Sequence, residues 1–144
     1  DNRQIAFTSS REGSPSIYVM NRDGSGQRPV LPGTPSHLPG WARDGKSLFF
    51  INTSGVSDRL QRVSLEDGTI RTMVDPGGMK GARLWHPAPS PDGRWVAYVS
   101  NQSGDFRVWV YDLLNKKTRF LNPSRVSMTD RPTQQAAHLH EVSR

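Results

Sequence analysis

The chain contains no cysteine. A disulfide scaffold, a cysteine-ligated zinc ribbon and a thiol nucleophile are therefore excluded. Long hydrophobic runs are also missing. The best are Leu48–Ile51 and Trp95–Val99, far short of the roughly 20 apolar residues of a membrane helix. Polar Asp1–Gln4 leads straight into a strand-like segment, so no signal peptide is expected there. No stretch has helical periodicity. A Gly-x-Ser-x-Gly nucleophile elbow is absent, and Asp23-Gly24-Ser25-Gly26 lacks the rest of a phosphate or calcium loop.

Negative charge is in short supply. The 144 residues hold 13 Asp and Glu against 19 Lys and Arg, a formal charge of +6, with a pI near 10.3. A basic chain favours anionic partners. Its arginines are scattered, and Lys116-Lys117 is the sole Lys-Lys pair. Without a basic stripe interleaved with aromatics, neither nucleic acid nor a membrane is the expected partner. Absent cysteine suits a bacterial cytoplasm or periplasm equally.

What is present is a repeat. Ile5-Ala6-Phe7, Leu48-Phe49-Phe50 and Val96-Ala97-Tyr98 are equivalent strand segments, spaced by 43 and then 48 residues. Each is followed twelve residues on by a second apolar strand, at Ile17–Met20, Leu60–Val63 and Val108–Tyr111. Turn residues join the pairs as hairpins. Asp-Gly turns recur at Asp23-Gly24, Asp44-Gly45, Asp67-Gly68 and Asp92-Gly93, and such Asp residues are structural by default. Further short strands are expected at Gly40–Ala42, Thr69–Val74, His86–Pro89 and Thr118–Leu121. A repeat of 43 to 48 residues with four strands has the size of a propeller blade. A β-sandwich spaces strands similarly but does not repeat its turns.

The expected fold is therefore all-β: a β-propeller of about three four-stranded blades, near residues 1–35, 36–78 and 79–124. Residues 125–144 would supply the first strand of a further or partner blade. In the first repeat the strand before Asp1-Asn2 is missing, and His138–Ser143 resembles it. Three blades are too few for a ring. A homo-oligomer in which this tail completes another copy's first blade is one expectation, and an excised segment the other. Trp95, Tyr98, Trp109 and Tyr111 fall on strands and are expected in the core.

The four histidines carry the functional reading. His37 lies seven residues before Asp44, His86 six before Asp92, and His138 and His140 near the chain end. All four are expected at one place, the start of a blade's innermost strand, where side chains from neighbouring blades converge. His138 and His140 face the same way on a strand, and Gln135 can approach from the preceding loop. Three imidazoles and an amide oxygen suit a divalent Mn, Fe, Ni or Zn ion. A histidine at such a position is otherwise a turn residue. Arg59, Arg62 and Arg83 can pair with carboxylates, which guanidinium grips bidentately.

The Ser90-Pro91-Asp92-Gly93, Ile17–Met20 and Asp23-Gly24-Ser25 segments resemble the TolB-type (WD40-like) β-propeller repeat. More narrowly, Tyr18 to His140 is similar to the oligogalacturonate lyase family of bacterial pectin breakdown. That resemblance implies His37 as the base, and His86, Gln135, His138 and His140 as ligands of a divalent metal, manganese by family. It implies β-elimination on a short acidic oligosaccharide, with arginines such as Arg59 and Arg83 holding the uronates. The alternative is a non-catalytic TolB-like module that binds protein or carbohydrate.

Overall fold

The computed structural model describes residues 3–121. These form β1 (Gln4–Ser9), β2 (Ser16–Asn21), β3 (Arg28–Pro29), β4 (Ser36–Trp41), β5 (Ser47–Asn52), β6 (Arg59–Ser64), β7 (Ile70–Val74), β8 (Leu84–Pro89), β9 (Trp95–Ser100), β10 (Arg107–Asp112) and β11 (Lys117–Phe120). All pairing is antiparallel between consecutive strands. The result is three meander sheets, ordered β1-β2-β3, β4-β5-β6-β7 and β8-β9-β10-β11. This is the expected partial propeller, with three strands in the first blade among the described residues. No helix among the described residues is long and apolar enough to cross a membrane.

The blades pack face to face with the second in the middle. Strand side chains alternate between faces, so β5 sends Leu48 and Phe50 one way and Phe49 and Ile51 the other. Leu48, Phe50 and Val63 join Ile17, Val19 and Leu31 of the first blade in one buried cluster. Phe49, Ile51 and Leu60 join Leu84, Val96, Tyr98 and Tyr111 of the third in another. Covered on both faces, β5 reads as a continuous apolar run rather than an alternating one. Tyr98 and Tyr111 lie in the core as expected, and Trp109 packs against it. Trp95 does not. It sits on the other face of β9, under Arg94 and Arg119 at 4.9 and 5.4 Å from its ring centre.

The Asp-Gly turns gather at one end of the blades, the turn end. Asp44 Oδ1 accepts the N–H groups of Lys46 and Ser47 at 2.9 and 3.1 Å. Asp23, Asp67 and Asp92 each accept the N–H two residues on, at 2.9 Å. The following glycines, Gly45 and Gly93, take φ of +67° and +74°, which a Cβ disfavours. Burial lifts the Asp44 carboxyl, but the Lys46 N–H, the Ser47 hydroxyl and Arg62 outweigh it and hold it below the ordinary range.

Both four-stranded sheets have an innermost strand that starts earlier than the sequence suggests: β4 runs from Ser36 rather than Gly40, and β8 from Leu84 rather than His86. Leu38 has φ of +58°, and a β-bulge separates the His37–Ile51 and Gly40–Phe49 pairs. The bulge adds an unpaired residue and hides the strand's period of two. β8 repeats it: His86 has φ of +53° between the Trp85–Val99 and Ala88–Ala97 pairs.

Candidate functional site

The opposite end of the blades, the loop end, holds the starts of β4 and β8, the β5–β6 loop and the β9–β10 loop. Pairing of Ser36 with Asn52 and of Asn52 with Arg59 sets this in the second blade. Pairing of Leu84 with Ser100 and of Ser100 with Arg107 sets it in the third.

His37 and His86 both lie here, on neighbouring innermost strands. They are not equivalent residues. Ile51 and Val99 match across the 48-residue repeat, and their partners are His37 and Trp85. His86 instead matches Leu38, the left-handed residue of the bulge. His37 and His86 thus share the strand start but stand one register position apart, and the bulge turns successive side chains differently. His37 is half-buried and His86 exposed. Burial draws the His37 imidazole below its ordinary pKa; the Asp58 carboxylate opposes this and the charge of His86 adds to it. His37 is thus an imidazole biased to the neutral, proton-accepting form.

Asp58, which sequence reasoning missed, organises this end. Its side chain is only 2% exposed. Oδ2 accepts the backbone N–H of Leu84 at 3.1 Å, and Oδ1 accepts Arg83 Nη1 at 3.2 Å. Its own N–H donates to the Ala82 carbonyl at 2.9 Å. One buried carboxylate thereby ties the second blade to the start of β8. Arg83 is engaged here, and Arg59 donates to Asp75 at 2.9 Å. Both arginines expected to hold substrate carboxylates already have carboxylate partners.

In the third blade the corresponding pair is aromatic. Trp85 and Phe106 occupy the places of His37 and Asp58, and their rings stack at 4.8 Å and 16°. They are 42% and 50% exposed. Among the described residues nothing covers this stack, which sets it apart from the buried aromatics Tyr98 and Tyr111.

Gln135, His138 and His140 lie outside the described residues, as does the tail strand expected at 138–143. Of the four expected metal ligands, the described residues include His86 alone. Among them no group of three or more His, Asp or Glu side chains gathers to hold an ion. A cleft of about 380 Å³ does exist, but at the turn end, lined by Arg43, Asp44, Arg62 and Asp92 among others. Its charges satisfy one another: Arg62 donates to Asp44 and Arg43 to the Asp92 carbonyl, both at 2.7 Å.

No protein-family model matches the chain. It is 31% identical over 104 residues to the Tol-Pal system protein TolB of Francisella tularensis, which covers 69% of this chain and 23% of that protein. Among solved structures, a candidate TolB of Agrobacterium tumefaciens matches 83% of this chain and 42% of its own, with a TM-score of 0.70 at 22% identity. Oligogalacturonate lyase of Vibrio parahaemolyticus matches 83% of this chain and 36% of its own, with a TM-score of 0.62 at 12% identity. The chain spans 23% to 32% of the length of the first curated relatives it matches. It resembles TolB-type propellers in sequence and in fold.

Proposed function

We propose that the chain is a non-catalytic TolB-like propeller segment that binds an extended polypeptide at its loop end. The exposed Trp85–Phe106 stack carries this reading. Flat aromatic rings offer large contact area at small entropic cost and dominate protein-recognition surfaces. The Francisella relative is named for a multicomponent system, which supports a protein partner. The occupied arginines support it too, because Arg59 and Arg83 bind a uronate only by giving up Asp75 and Asp58.

The test is selection of displayed peptides on the chain, followed by titration of the best binders against variants. Trp85→Ala and Phe106→Ala should each weaken binding about tenfold or more, in line with loss of a buried aromatic anchor. Selected peptides that bind both variants as tightly as the parent would remove this reading.

A second reading has one observation in its favour. His37, biased to its neutral form, stands within electrostatic reach of His86. That arrangement suits a base beside one metal ligand in β-elimination on short oligogalacturonides, with Gln135, His138 and His140 completing a divalent site. Elemental analysis after loading with manganese, and ultraviolet detection of unsaturated product from trigalacturonate, decide it. Bound metal that is lost in His86→Ala, together with product that is lost in His37→Ala, would replace the first reading with this one.

A further inference from the structure

The repeat breaks at one position of the second blade. Val19, Arg62 and Val110 match across the 43- and 48-residue offsets, as do Arg28, Arg71 and Arg119 on the outer strands. Each pair is directly opposed across its two strands: Val19 with Arg28, Arg62 with Arg71 and Val110 with Arg119. The first and third blades thus set a valine against an arginine, and the second sets arginine against arginine. Like charges directly opposite on antiparallel strands repel. The second blade departs from the repeat at a cost to its own sheet.

The departure opens a joint. Val19 is fully buried and helps fill the joint between the first and second blades. Its counterpart Arg62 stands towards the third blade with its side chain 32% exposed. Two clefts share it. One is the turn-end cleft described above. The other, of about 280 Å³, is lined by Ser47, Arg62, Ser64, Asp67, Thr69 and Arg71. All six belong to the second blade, which has a described blade on either side.

Donors in this second cleft outnumber the acceptors left to meet them. Arg62 is aimed by the Phe49 ring, 5.4 Å from its guanidinium, and by Asp44 Oδ2, which accepts Nη2 at 2.7 Å. The rest of its planar fork is available to a ligand. Arg71 is exposed and has neither an ion pair nor a hydrogen bond among the described residues. The nearby carboxylates are occupied by their own turns. Asp44 also accepts the Lys46 and Ser47 N–H groups and the Ser47 hydroxyl. Asp67 accepts the Thr69 N–H at 2.9 Å and the hydroxyls of Thr69 and Ser64, and it pairs with neither arginine.

We propose that this cleft binds a phosphoryl group between Arg62 and Arg71. One guanidinium fork already occupies both oxygens of a carboxylate. A phosphoryl group has three acceptor oxygens to divide between two forks, and its charge offsets the repulsion of the opposed arginines. The site lies at the turn end, so it does not depend on what binds at Trp85 and Phe106.

Calorimetric titration of the 144-residue chain with inorganic phosphate and with glycerol phosphate, at fixed ionic strength in chloride, tests it. A dissociation constant of about 1 mM or tighter is expected for at least one of them. The tighter of the two tells whether the group arrives free or on an ester. Binding of neither, or equal binding of acetate, overturns the proposal. Arg71→Gln and Arg62→Val, the second restoring the residue of the repeat, should each weaken binding about tenfold or more. Arg28→Gln, at the same position of the first blade, should leave it unchanged. Full binding by Arg71→Gln, or an equal loss in Arg28→Gln, assigns the effect to general surface charge and overturns the site. In phosphate-free buffer Arg71→Gln should melt no lower than the parent, because it removes a repulsion. A lower melting temperature would make Arg71 a structural residue and overturn the proposal as well.

Discussion

The two ends of the blades are built from the same strands but by different rules. At the turn end the solution repeats. Asp23, Asp44, Asp67 and Asp92 each cap the backbone of their own turn. Arg62–Asp44 and Arg94–Asp112 pairs link neighbouring strands of a sheet. Hydrogen bonding from Arg94 is the largest influence holding Asp112 far below the usual carboxylate range. At the loop end the solution changes from blade to blade. The second blade places His37 near a buried Asp58, and the third places Trp85 on Phe106. Repetition marks what each blade needs to fold. Departure from the repeat, on a surface open to solvent, marks where the blades are free to differ in what they bind.

The comparison predicts that losing a bond between blades costs more than losing one within a turn. Asp58→Ala strands the Leu84 N–H in a buried site and should destabilise by about 2–3 kcal/mol. Asp58→Asn keeps an acceptor for that N–H and should cost less. Chemical denaturation measures both, and equal losses would mean that charge rather than the Leu84 bond holds the joint. At the turn end, Gly93→Ala adds a Cβ 3.0 Å from Arg43 Cδ at a φ of +74°. Gly45→Ala meets nothing within 4 Å at a φ of +67°. Backbone strain alone costs about 1–2 kcal/mol at such a position. Gly93→Ala should therefore exceed Gly45→Ala, and the gap measures how firmly Arg43 is held against the Asp92 carbonyl. Identical melting points would show that Arg43 moves aside freely.

The turn end was largely legible in the sequence and the loop end only partly. Asp-Gly dipeptides at fixed offsets announce turns because the chemistry is local: a carboxylate reaches its own backbone and glycine takes the positive φ. Apolar triplets announce strands for the same reason. Asp58 has no such mark. Its partners lie 25 and 26 residues away on the next blade, so its role exists only after the blades pack. The exact register of the histidines was hidden for a related reason. His37 stands seven residues before its Asp and His86 six. That one-residue difference was visible, but its meaning depends on a bulge centred on Leu38 and His86. β3 was hidden as well, since Pro29 lacks the N–H of an ordinary strand residue and is tolerated at a sheet edge.

A smaller effect separates the two histidines. His37 has its pKa drawn below the ordinary 6.5 by burial. In the window below 6.5 and above its folded value, the unfolded chain binds a proton that the folded chain refuses, so stability rises with pH there. Acidification from neutral pH through 6.5 should lower the melting temperature, and His37→Gln should flatten that dependence. His86→Gln removes an exposed group and should leave most of the slope. A slope unchanged by His37→Gln would assign the dependence to another group.

The smallest effect is expected among the exposed ion pairs. Lys46 reaches Glu66 at 2.9 Å, but both side chains are about two-thirds exposed, at 64% and 65%. Water already solvates each charge, salt screens the pair, and two long side chains lose rotamer freedom to meet. The backbone beside them is held independently, because the Lys46 N–H donates to Asp44 and the Leu65 N–H to the Lys46 carbonyl, at 2.9 and 2.8 Å. Lys46→Ala removes the ammonium without touching either bond. The melting temperature should move by less than about 1 °C, in low salt as in high. A larger drop that high salt abolishes would mean that the charges of the turn end act as a network rather than as separate pairs. The repeated turns would then owe part of their stability to one another across blades.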